Sequence, residues 1–256
     1  MDREKLRRLH DLTGRVAIVT GGTRGIGLAI AEGFLAAGAN VAVASRKPDA
    51  CASTEAHLRS LGGAAIGVPT HIGDVDAGNA LVDRTVAEFG GLDIVVNNAA
   101  NALTLPFGQL TVAAWDKSIG TNLRGPVFLI ERALPHLEAS GNAAILNVIS
   151  AGAFLFSPNT AMYAAAKAGL MSMTRSMAAV FASKGVRVNA LAPGTVDTDM
   201  VRSNTPEAIE SMKNASFMKR AAHPDEMVGP ALLMCSDAGS FMTGQVIIVD
   251  GGLTPH

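Results

Sequence analysis

The fold is decided by one stretch near the N terminus, Val16-Ala17-Ile18-Val19-Thr20-Gly21-Gly22-Thr23-Arg24-Gly25-Ile26-Gly27. It starts with an apolar run, as expected of a strand that is buried on both faces. Its glycines fall where the strand should turn into a helix, and glycine lets a backbone approach a ligand closely. The start of a helix also presents free N–H groups to an anion. The stretch therefore predicts a strand, a turn and a helix around a pyrophosphate; a tight turn without a ligand is the alternative.

The same pattern repeats along the chain. Six more apolar runs follow the first, at residues 41–44, 64–68, 93–96, 144–149, 186–191 and 246–249. Alanine-rich segments that favour helices lie between them, at residues 25–37, 50–61, 76–89, 115–139, 161–182 and 225–235. Alternating strands and helices imply parallel β-α-β units. We expect an α/β fold in which one doubly wound, seven-stranded parallel sheet carries helices on both faces.

No repeat or linker divides the chain. We expect residues 14–256 to form a single domain and residues 1–13 to form an N-terminal extension. The longest stretch without a clear element is residues 193–223. Loops of this length are often lids or binding segments, and this one follows a strand's carboxyl end, over the ligand crevice of such a sheet. Residues 194–223 are therefore predicted to be the substrate loop.

The composition narrows the class of partner. Of 256 residues, 48% are hydrophobic and 17% are charged, and the formal net charge is −1. This balance argues against nucleic acid and membrane surfaces as partners, because both usually leave a basic bias. No apolar stretch reaches transmembrane length, and neither the two cysteines nor the six histidines follow metal-ligand spacing. We expect a cytoplasmic protein without a bound metal.

A phenol and an ammonium group lie four residues apart, at Tyr163 and Lys167. Residues i and i+4 project from the same face of a helix, and the three alanines between them favour a helix. A nearby cation favours the phenolate over the phenol, so the spacing predicts a Tyr163 pKa below its usual value of about 10. Tyr163 is the only tyrosine of the chain, so no other phenol competes for this role.

The residues after the second predicted strand bear on the kind of dinucleotide. A carboxylate there hydrogen-bonds the ribose hydroxyls of NAD, whereas an arginine accommodates the 2′-phosphate of NADP. This chain has Ser45, Arg46 and Lys47, with no acid before Asp49, and Arg24 of the glycine turn adds charge. NADP(H) is therefore favoured; NAD(H) is the alternative, in which these bases form a solvated face.

Several motifs occur in the order and spacing of a known family. Besides the glycine turn, Tyr163 and Lys167, they are Asn97-Asn98-Ala99-Ala100, Asn122, Ser150, Pro193-Gly194 and Val249-Asp250-Gly251-Gly252. With them, residues 14–252 resemble the short-chain dehydrogenase/reductase family, whose fold is a Rossmann domain. The resemblance implies hydride transfer between a nicotinamide cofactor and a carbonyl or secondary alcohol. Its motifs are similar in part to those of NADP-dependent carbonyl and retinal reductases.

The resemblance also implies the site residues. Asn122, Ser150, Tyr163 and Lys167 would be catalytic: Tyr163 transfers the proton, Ser150 orients the carbonyl, Lys167 acts on Tyr163 and on the cofactor ribose, and Asn122 binds a water that leads to solvent. The implied cofactor residues are Gly21, Thr23, Arg24, Gly25, Ile26, Gly27, Ser45, Arg46, Lys47, His71, Ile72, Asn98, Ala99, Ala100, Tyr163, Lys167, Pro193, Gly194, Val196 and Thr198. A homotetramer is implied as well, packed through the helix that carries Tyr163 and through the last strand.

The residues expected near the substrate are almost all apolar. They are Ala102, Leu103, Phe107, Ala151, Phe154, Phe156, Val196, Met200 and Phe217. Such a lining predicts an apolar ketone or secondary alcohol, with ordinary packing of the lid as the alternative.

Other functions share parts of this pattern. A 3-oxoacyl-thioester (acyl-carrier-protein) reductase would have the same catalytic residues, whereas an enoyl reductase of the family has six rather than three residues between Tyr and Lys. A non-catalytic nucleotide-sensing protein, or another Rossmann enzyme such as a methyl transferase, would not need these residues. Two motifs depart from the family: His71-Ile72 stands where Asp-Val is usual, and Ala100 stands where glycine is usual.

Overall fold

A single parallel sheet forms the centre of the fold. The computed structural model describes residues 1–156 and 159–254. Its strands are β1 Val16–Thr20, β2 Asn40–Ser45, β3 Ala65–Pro69, β4 Ile94–Asn97, β5 Ala143–Val148, β6 Val186–Pro193 and β7 Val246–Val249. They lie in the order β3-β2-β1-β4-β5-β6-β7, and every neighbouring pair is parallel. The prediction of a seven-stranded parallel sheet is confirmed.

Helices connect the strands and cover both faces of the sheet. They are α1 Arg3–Arg8, α2 Gly25–Ala36, α3 Pro48–Ser60, α4 Val75–Phe89, α5 Val112–Ile119, α6 Gly125–Ser140, α7 Ala161–Phe181, α8 Asp199–Arg202, α9 Pro206–Ala215 and α10 Val228–Cys235. Among the described residues, no helix is both long enough and apolar enough to span a membrane.

The order of the strands determines where a ligand crevice lies. β1 pairs with β2 on one side and with β4 on the other. Because the chain leaves β1 toward one edge of the sheet and later returns on its other side, a crevice opens at the carboxyl ends of these strands. The glycine turn lies at this crevice, since Thr20 ends β1 and Gly25 starts α2.

The core lies on both faces of the sheet. On one face, Val19 of β1 packs with Phe34 of α2 and Met234 of α10. On the other face, Ile18 packs with side chains of α4, α6 and α7, such as Ile130. The five residues of β1 are buried, as predicted for a strand between two layers, whereas the four residues of the edge strand β7 are only partly buried.

Two helical details differ from the sequence prediction. The helix predicted at 115–139 begins at Val112 and is interrupted by a π-helical turn, Gly120–Arg124. The stretch 193–223, in which the sequence showed no clear element, contains α8 and α9. None of the residues of α9 is fully buried, and its apolar face is narrow, formed by the partly buried Ala208, Ile209 and Met212. Its local start signal was nonetheless present, with Thr205 as N-cap and Pro206 in the first turn.

The packed core reaches into the segment predicted as an extension, residues 1–13. α1 is exposed, and none of its residues is buried. Leu12, in contrast, has no exposed surface and belongs to one of the core clusters. Its N–H also donates to the carbonyl oxygen of Ala37 at 2.8 Å, which ties the segment to the end of α2.

Candidate active site

A cleft of about 560 Å³ opens at the carboxyl edge of the sheet. All of the residues predicted to bind the cofactor line it, with the exception of Gly27. Among the predicted catalytic residues, Ser150, Tyr163 and Lys167 line it, whereas Asn122 lies behind its wall. The fold thus brings together residues from seven separate parts of the sequence.

The glycine turn forms one wall of the cleft by close backbone contact. Gly21 has a φ of +65°, and a Cβ there would lie 2.9 Å from the Cα of Ala99. Asn98 fixes this contact, because its Nδ2 donates to the carbonyl oxygens of Thr20 and Gly21 at 2.9 and 3.2 Å. A Cβ at Gly27 would collide with the same Gly21 carbonyl. Gly27 therefore serves the packing of α2 against the turn rather than the lining of the cleft.

Basic side chains lie at the end of the cleft beside β2. Ser45 ends this strand, and Arg46 and Lys47 follow it with exposed side chains that line the cleft. Arg24 lines it from the glycine turn and forms an ion pair with Asp199, whose Oδ2 lies 3.0 Å from the Arg24 guanidinium. Asp49 does not line the cleft.

Ser150, Tyr163 and Lys167 meet at the opposite end of the cleft. Ser150 follows β5, and its Oγ accepts a hydrogen bond from the N–H of Gly152 at 3.0 Å. Tyr163 and Lys167 lie one turn apart on α7, and the Tyr163 hydroxyl is hydrogen-bonded to the Ser150 side chain. The Lys167 Nζ lies 5.7 Å from the centre of the Tyr163 ring.

The predicted pKa of Tyr163 is wrong in direction. Burial raises the pKa of the Tyr163 phenol above 10, and the hydrogen bond with Ser150 only partly opposes this effect. The ammonium group of Lys167 donates to the carbonyl oxygen of Val148 at 2.6 Å. Burial also lowers the pKa of Lys167 from 10.5 to about 8. Desolvation disfavours the charged form of both groups.

Asn122 lies in the π-helical turn between α5 and α6 and is fully buried. Its Nδ2 donates to the carbonyl oxygen of Asn101 at 2.8 Å, and its Oδ1 accepts from the N–H of Asn101 at 3.1 Å. The Asn122 side chain thus holds the segment after β4 in place, and this segment lines the cleft at Ala99, Ala100 and Asn101. Single π-helical turns inside helices are frequent at functional sites.

The pair His71-Ile72, which departs from the family, still lines the cleft. The Nδ1 of His71 accepts a hydrogen bond from the N–H of Gly73 at 3.1 Å, so the ring folds back on its own turn. Ile72 is buried, and a Cβ at Gly125 would collide with its carbonyl oxygen. The turn after β3 is therefore packed directly against the start of α6.

The residues predicted to meet the substrate are dispersed. Val196 and Met200 line the cleft, whereas Ala151 is buried. Phe107, Phe156 and Phe217 are mostly exposed, by 73%, 93% and 71%. Ala102, Leu103 and Phe154 are partly buried and do not line the cleft. The substrate loop is anchored at its far end, where the N–H of Met218 donates to the carbonyl oxygen of Gly251 at 3.0 Å.

Sequence reasoning missed two features of the site. One is the lining by Asn101, Lys117 and Asp199, for which the sequence offers no motif. The other is a buried chain of polar side chains behind Ser150: Asn97 donates to Asn147, which donates to Thr174 on α7, each at 2.9 Å. Three polar residues in two strands and a helix that are otherwise apolar were the available signal.

The chain has many relatives. The profile of a family described as enoyl-(acyl carrier protein) reductase matches residues 21–254. Cis-4-hydroxycyclohexanecarboxylate dehydrogenase of Sinomonas cyclohexanicum is 40% identical over 241 residues, which cover 94% of this chain and 96% of that protein. Dehydrogenase/reductase SDR family member 4 of Homo sapiens is 34% identical, over 96% of this chain and 90% of that protein.

Solved structures of short-chain dehydrogenases and reductases are also similar to this chain. A 3-oxoacyl (acyl-carrier-protein) reductase from Agrobacterium tumefaciens, with NADP bound, is 35% identical and superimposes with a TM-score of 0.91 over 96% of this chain and 97% of that one. A short chain dehydrogenase from Burkholderia cenocepacia in complex with NADP is 31% identical, with a TM-score of 0.90 over 97% and 100%. The chain belongs to the short-chain dehydrogenase/reductase family, and it is an oxidoreductase that acts on alcohol or carbonyl substrates.

Proposed function

We propose that the protein is an NADP(H)-dependent reductase of apolar carbonyl compounds and that Tyr163 is its proton donor. The observation that carries this proposal is the common position of Ser150, Tyr163 and Lys167 at one end of a cleft whose other end is basic. A hydroxyl pair that can bind a carbonyl oxygen thus lies in the same groove as groups that can bind phosphate.

The residues of the cleft fit a dinucleotide. At the glycine turn, Gly21 lines the cleft, and its missing side chain lets the turn pack directly against Ala99. The 12-residue helix α2 starts at the cleft with Gly25, so its free N–H groups suit a pyrophosphate. Arg24, Arg46 and Lys47 suit a further phosphate, and the Lys167 ammonium suits ribose hydroxyls. When bound, the nicotinamide ring supplies a hydride to a carbonyl carbon or accepts one from an alcohol.

The chain's own residues handle the oxygen of the substrate. Tyr163 donates its phenolic proton to the carbonyl oxygen as negative charge develops there. Ser150 hydrogen-bonds the same oxygen and orients it. Because burial raises the pKa of Tyr163, the phenol carries its proton at neutral pH, which suits the reducing direction. In the oxidising direction the phenolate form would be needed, and it forms less readily at such a pKa.

In this proposal Asn122 does not touch the substrate and acts through Asn101. Its buried amide holds Asn101, and through it the wall of the cleft that follows β4. The water that the family resemblance implies between Asn122, Lys167 and solvent stays a prediction.

Cofactor preference is tested by binding. NADP(H) is favoured by the basic residues after β2, and two similar solved structures hold NADP. We expect the parent protein to bind NADPH more tightly than NADH in parallel titrations. We expect Arg46→Asp to reverse or abolish this preference, because the new carboxylate repels a 2′-phosphate and suits ribose hydroxyls. Equal or tighter binding of NADH by the parent would refute the NADP(H) assignment.

The substrate class is tested with a panel of carbonyl compounds. Val196 and Met200, which line the cleft, are apolar, and this favours apolar ketones. Turnover only with charged acids or with acyl-carrier thioesters would contradict this choice. A 3-oxoacyl-thioester reductase is the second candidate, because one similar structure carries that name. An enoyl reductase is disfavoured, since only three residues separate Tyr163 from Lys167.

We further propose that the protein is a homotetramer. Apolar residues of the edge strand β7 are only partly buried, and Phe241 beside it is fully exposed. Trp115 and Phe128, on α5 and α6, and Val180 on α7 are also exposed. Light scattering in solution should give four times the 26.3 kDa mass of the chain; a monomer would contradict the proposal.

A further inference from the structure

Asp199 is the only carboxylate among the described residues that line the cleft. Five cations line the same cleft: Arg24, Arg46, Lys47, Lys117 and Lys167. A dinucleotide is anionic, so a carboxylate in its groove opposes binding unless another group neutralises it. Asp199 therefore calls for an explanation that the proposed chemistry does not supply.

The partner of this carboxylate is the cation nearest to the phosphate turn. The Asp199 Oδ2 lies 3.0 Å from a terminal nitrogen of Arg24. A second cation, Arg202, is 4.0 Å away from Asp199 and is already bound by Asp197 through two hydrogen bonds, at 2.8 and 3.0 Å. Arg24 is thus the principal partner of Asp199.

The ion pair joins two walls of the cleft. Arg24 belongs to the glycine turn, whereas Asp199 starts α8 in the substrate loop. The neighbouring residues also meet: a Cβ at Gly25 would lie 3.0 Å from the Cγ2 of Thr198. The substrate loop therefore touches the glycine turn at two adjacent positions, and the carboxylate holds the guanidinium from the side of the loop.

We propose that Asp199 limits the preference for NADP(H) by competing with its 2′-phosphate for Arg24. The inference rests on the proposed function, in which Arg24 is one of the cations that take this phosphate. When a dinucleotide with a 2′-phosphate binds, Arg24 exchanges the Asp199 carboxylate for the phosphate. A dinucleotide without this phosphate leaves the ion pair closed. Asp199 thus weakens NADPH binding selectively, and the substrate loop is released from Arg24 only by the phosphorylated cofactor.

The size of the effect follows from the exposure of the pair. The side chains of Arg24 and Asp199 are 71% and 57% exposed, and ion pairs of this kind contribute little in water. We therefore expect Asp199→Asn to tighten NADPH binding by about two- to five-fold at low salt. The difference between parent and variant should shrink toward none near 1 M salt, where the Debye length falls to about 3 Å.

The experiment is a set of parallel titrations of NADPH and NADH against the parent, Asp199→Asn, Arg24→Gln and the double variant. Glu207→Gln is the matched control, because it removes the same charge from α9 of the same loop and does not line the cleft. We expect Asp199→Asn to tighten NADPH but not NADH, the control to change neither, and the Asp199→Asn effect to vanish in the Arg24→Gln background. Melting curves of each variant check that the fold is intact.

Each other outcome has a distinct meaning. If Asp199→Asn leaves NADPH binding unchanged, weakens it, or tightens it equally without Arg24, the inference is overturned while the proposed function stands. Equal tightening by Glu207→Gln also overturns it, because the effect is then general charge. If the parent binds neither dinucleotide, the proposed function is wrong, and the inference, which rests on it, is wrong as well.

Discussion

The ammonium group of Lys167 donates a 2.6 Å hydrogen bond to the carbonyl oxygen of Val148, two residues before Ser150. The end of β5 thus holds the lysine of α7 at the cleft, and the Nζ lies 5.7 Å from the Tyr163 ring centre. The hydroxyl itself is paired with Ser150. Lysine and tyrosine are therefore each positioned by the strand rather than by each other.

Burial of Lys167 should give the protein an unusual dependence of stability on pH. Its pKa is about 8 in the folded state and about 10.4 when unfolded, so between these values the unfolded chain binds the extra proton. The contribution of Lys167 to the free energy of unfolding should therefore rise with pH across this window, by at most about 1.4 kcal/mol per pH unit. Below pH 8 it should be constant, because both states are protonated.

Urea unfolding of the parent and of Lys167→Met at pH 7, 8, 9 and 10 measures this contribution as the difference between the two proteins. A difference that stays flat or falls between pH 8 and 10 would show that the lysine is not desolvated as described. Comparison with the variant is needed because it removes the effects of all other titrating groups.

The polar chain behind Ser150 should stabilise the contact between α7 and the sheet. Thr174 accepts from Asn147 at 2.9 Å and donates to the carbonyl oxygen of Leu170 at 2.8 Å, without contact with solvent. Thr174→Val keeps the shape and leaves the Asn147 amide unpaired, at an expected loss of about 1–3 kcal/mol in the free energy of unfolding. Thr174→Ser keeps the hydroxyl and should lose less. Thermal and urea denaturation of both variants measure this loss. A valine variant as stable as the parent would mean that the buried polar side chains contribute nothing to stability.

Gly27 should tolerate no side chain. A Cβ there would collide with the Gly21 carbonyl and with Asn98, so Gly27→Ala should push α2 away from the turn. We expect a loss of about 1–3 kcal/mol in the free energy of unfolding and weaker cofactor binding. Gly229, also helical, has no atom within 4 Å of an added Cβ, so Gly229→Ala should instead stabilise by up to about 1 kcal/mol. Equal behaviour of the two alanine variants would contradict this reading of the turn.

The parts of the fold that the sequence predicted are those with local patterns. The apolar runs of β1 and the glycines after it specify a buried strand and a turn without reference to distant residues. The π-helical turn around Asn122 has no such local pattern, and the residue that its side chain binds, Asn101, lies 21 residues away along the chain. α9 has a local start signal at Thr205-Pro206, but its apolar stripe is only Ala208, Ile209 and Met212, too short to stand out from a loop.

In the site, too, the residues with a local motif were predictable from the sequence, and the contacts between distant residues were not. Motif spacing indicated Ser150, Tyr163 and Lys167, and they do share one cleft. It did not indicate that the Lys167 ammonium group donates to Val148 or that Tyr163 is desolvated, and desolvation is what raises the Tyr163 pKa. Asp199 was missed for a related reason. The importance of the Asp199 carboxylate depends on its ion pair with Arg24, which lies 175 residues earlier in the chain and on the other side of the cleft.

The nicotinamide absorbance of NADPH, followed with an apolar ketone for the parent and for Tyr163→Phe alongside NADPH titrations of both, tests whether Tyr163 donates the proton. We predict turnover by the parent, a loss of about 10²- to 10⁴-fold in the variant, and cofactor affinity that is little changed, since only the phenolic oxygen is removed. A variant that keeps its turnover would contradict the account, because the proton would then come from elsewhere.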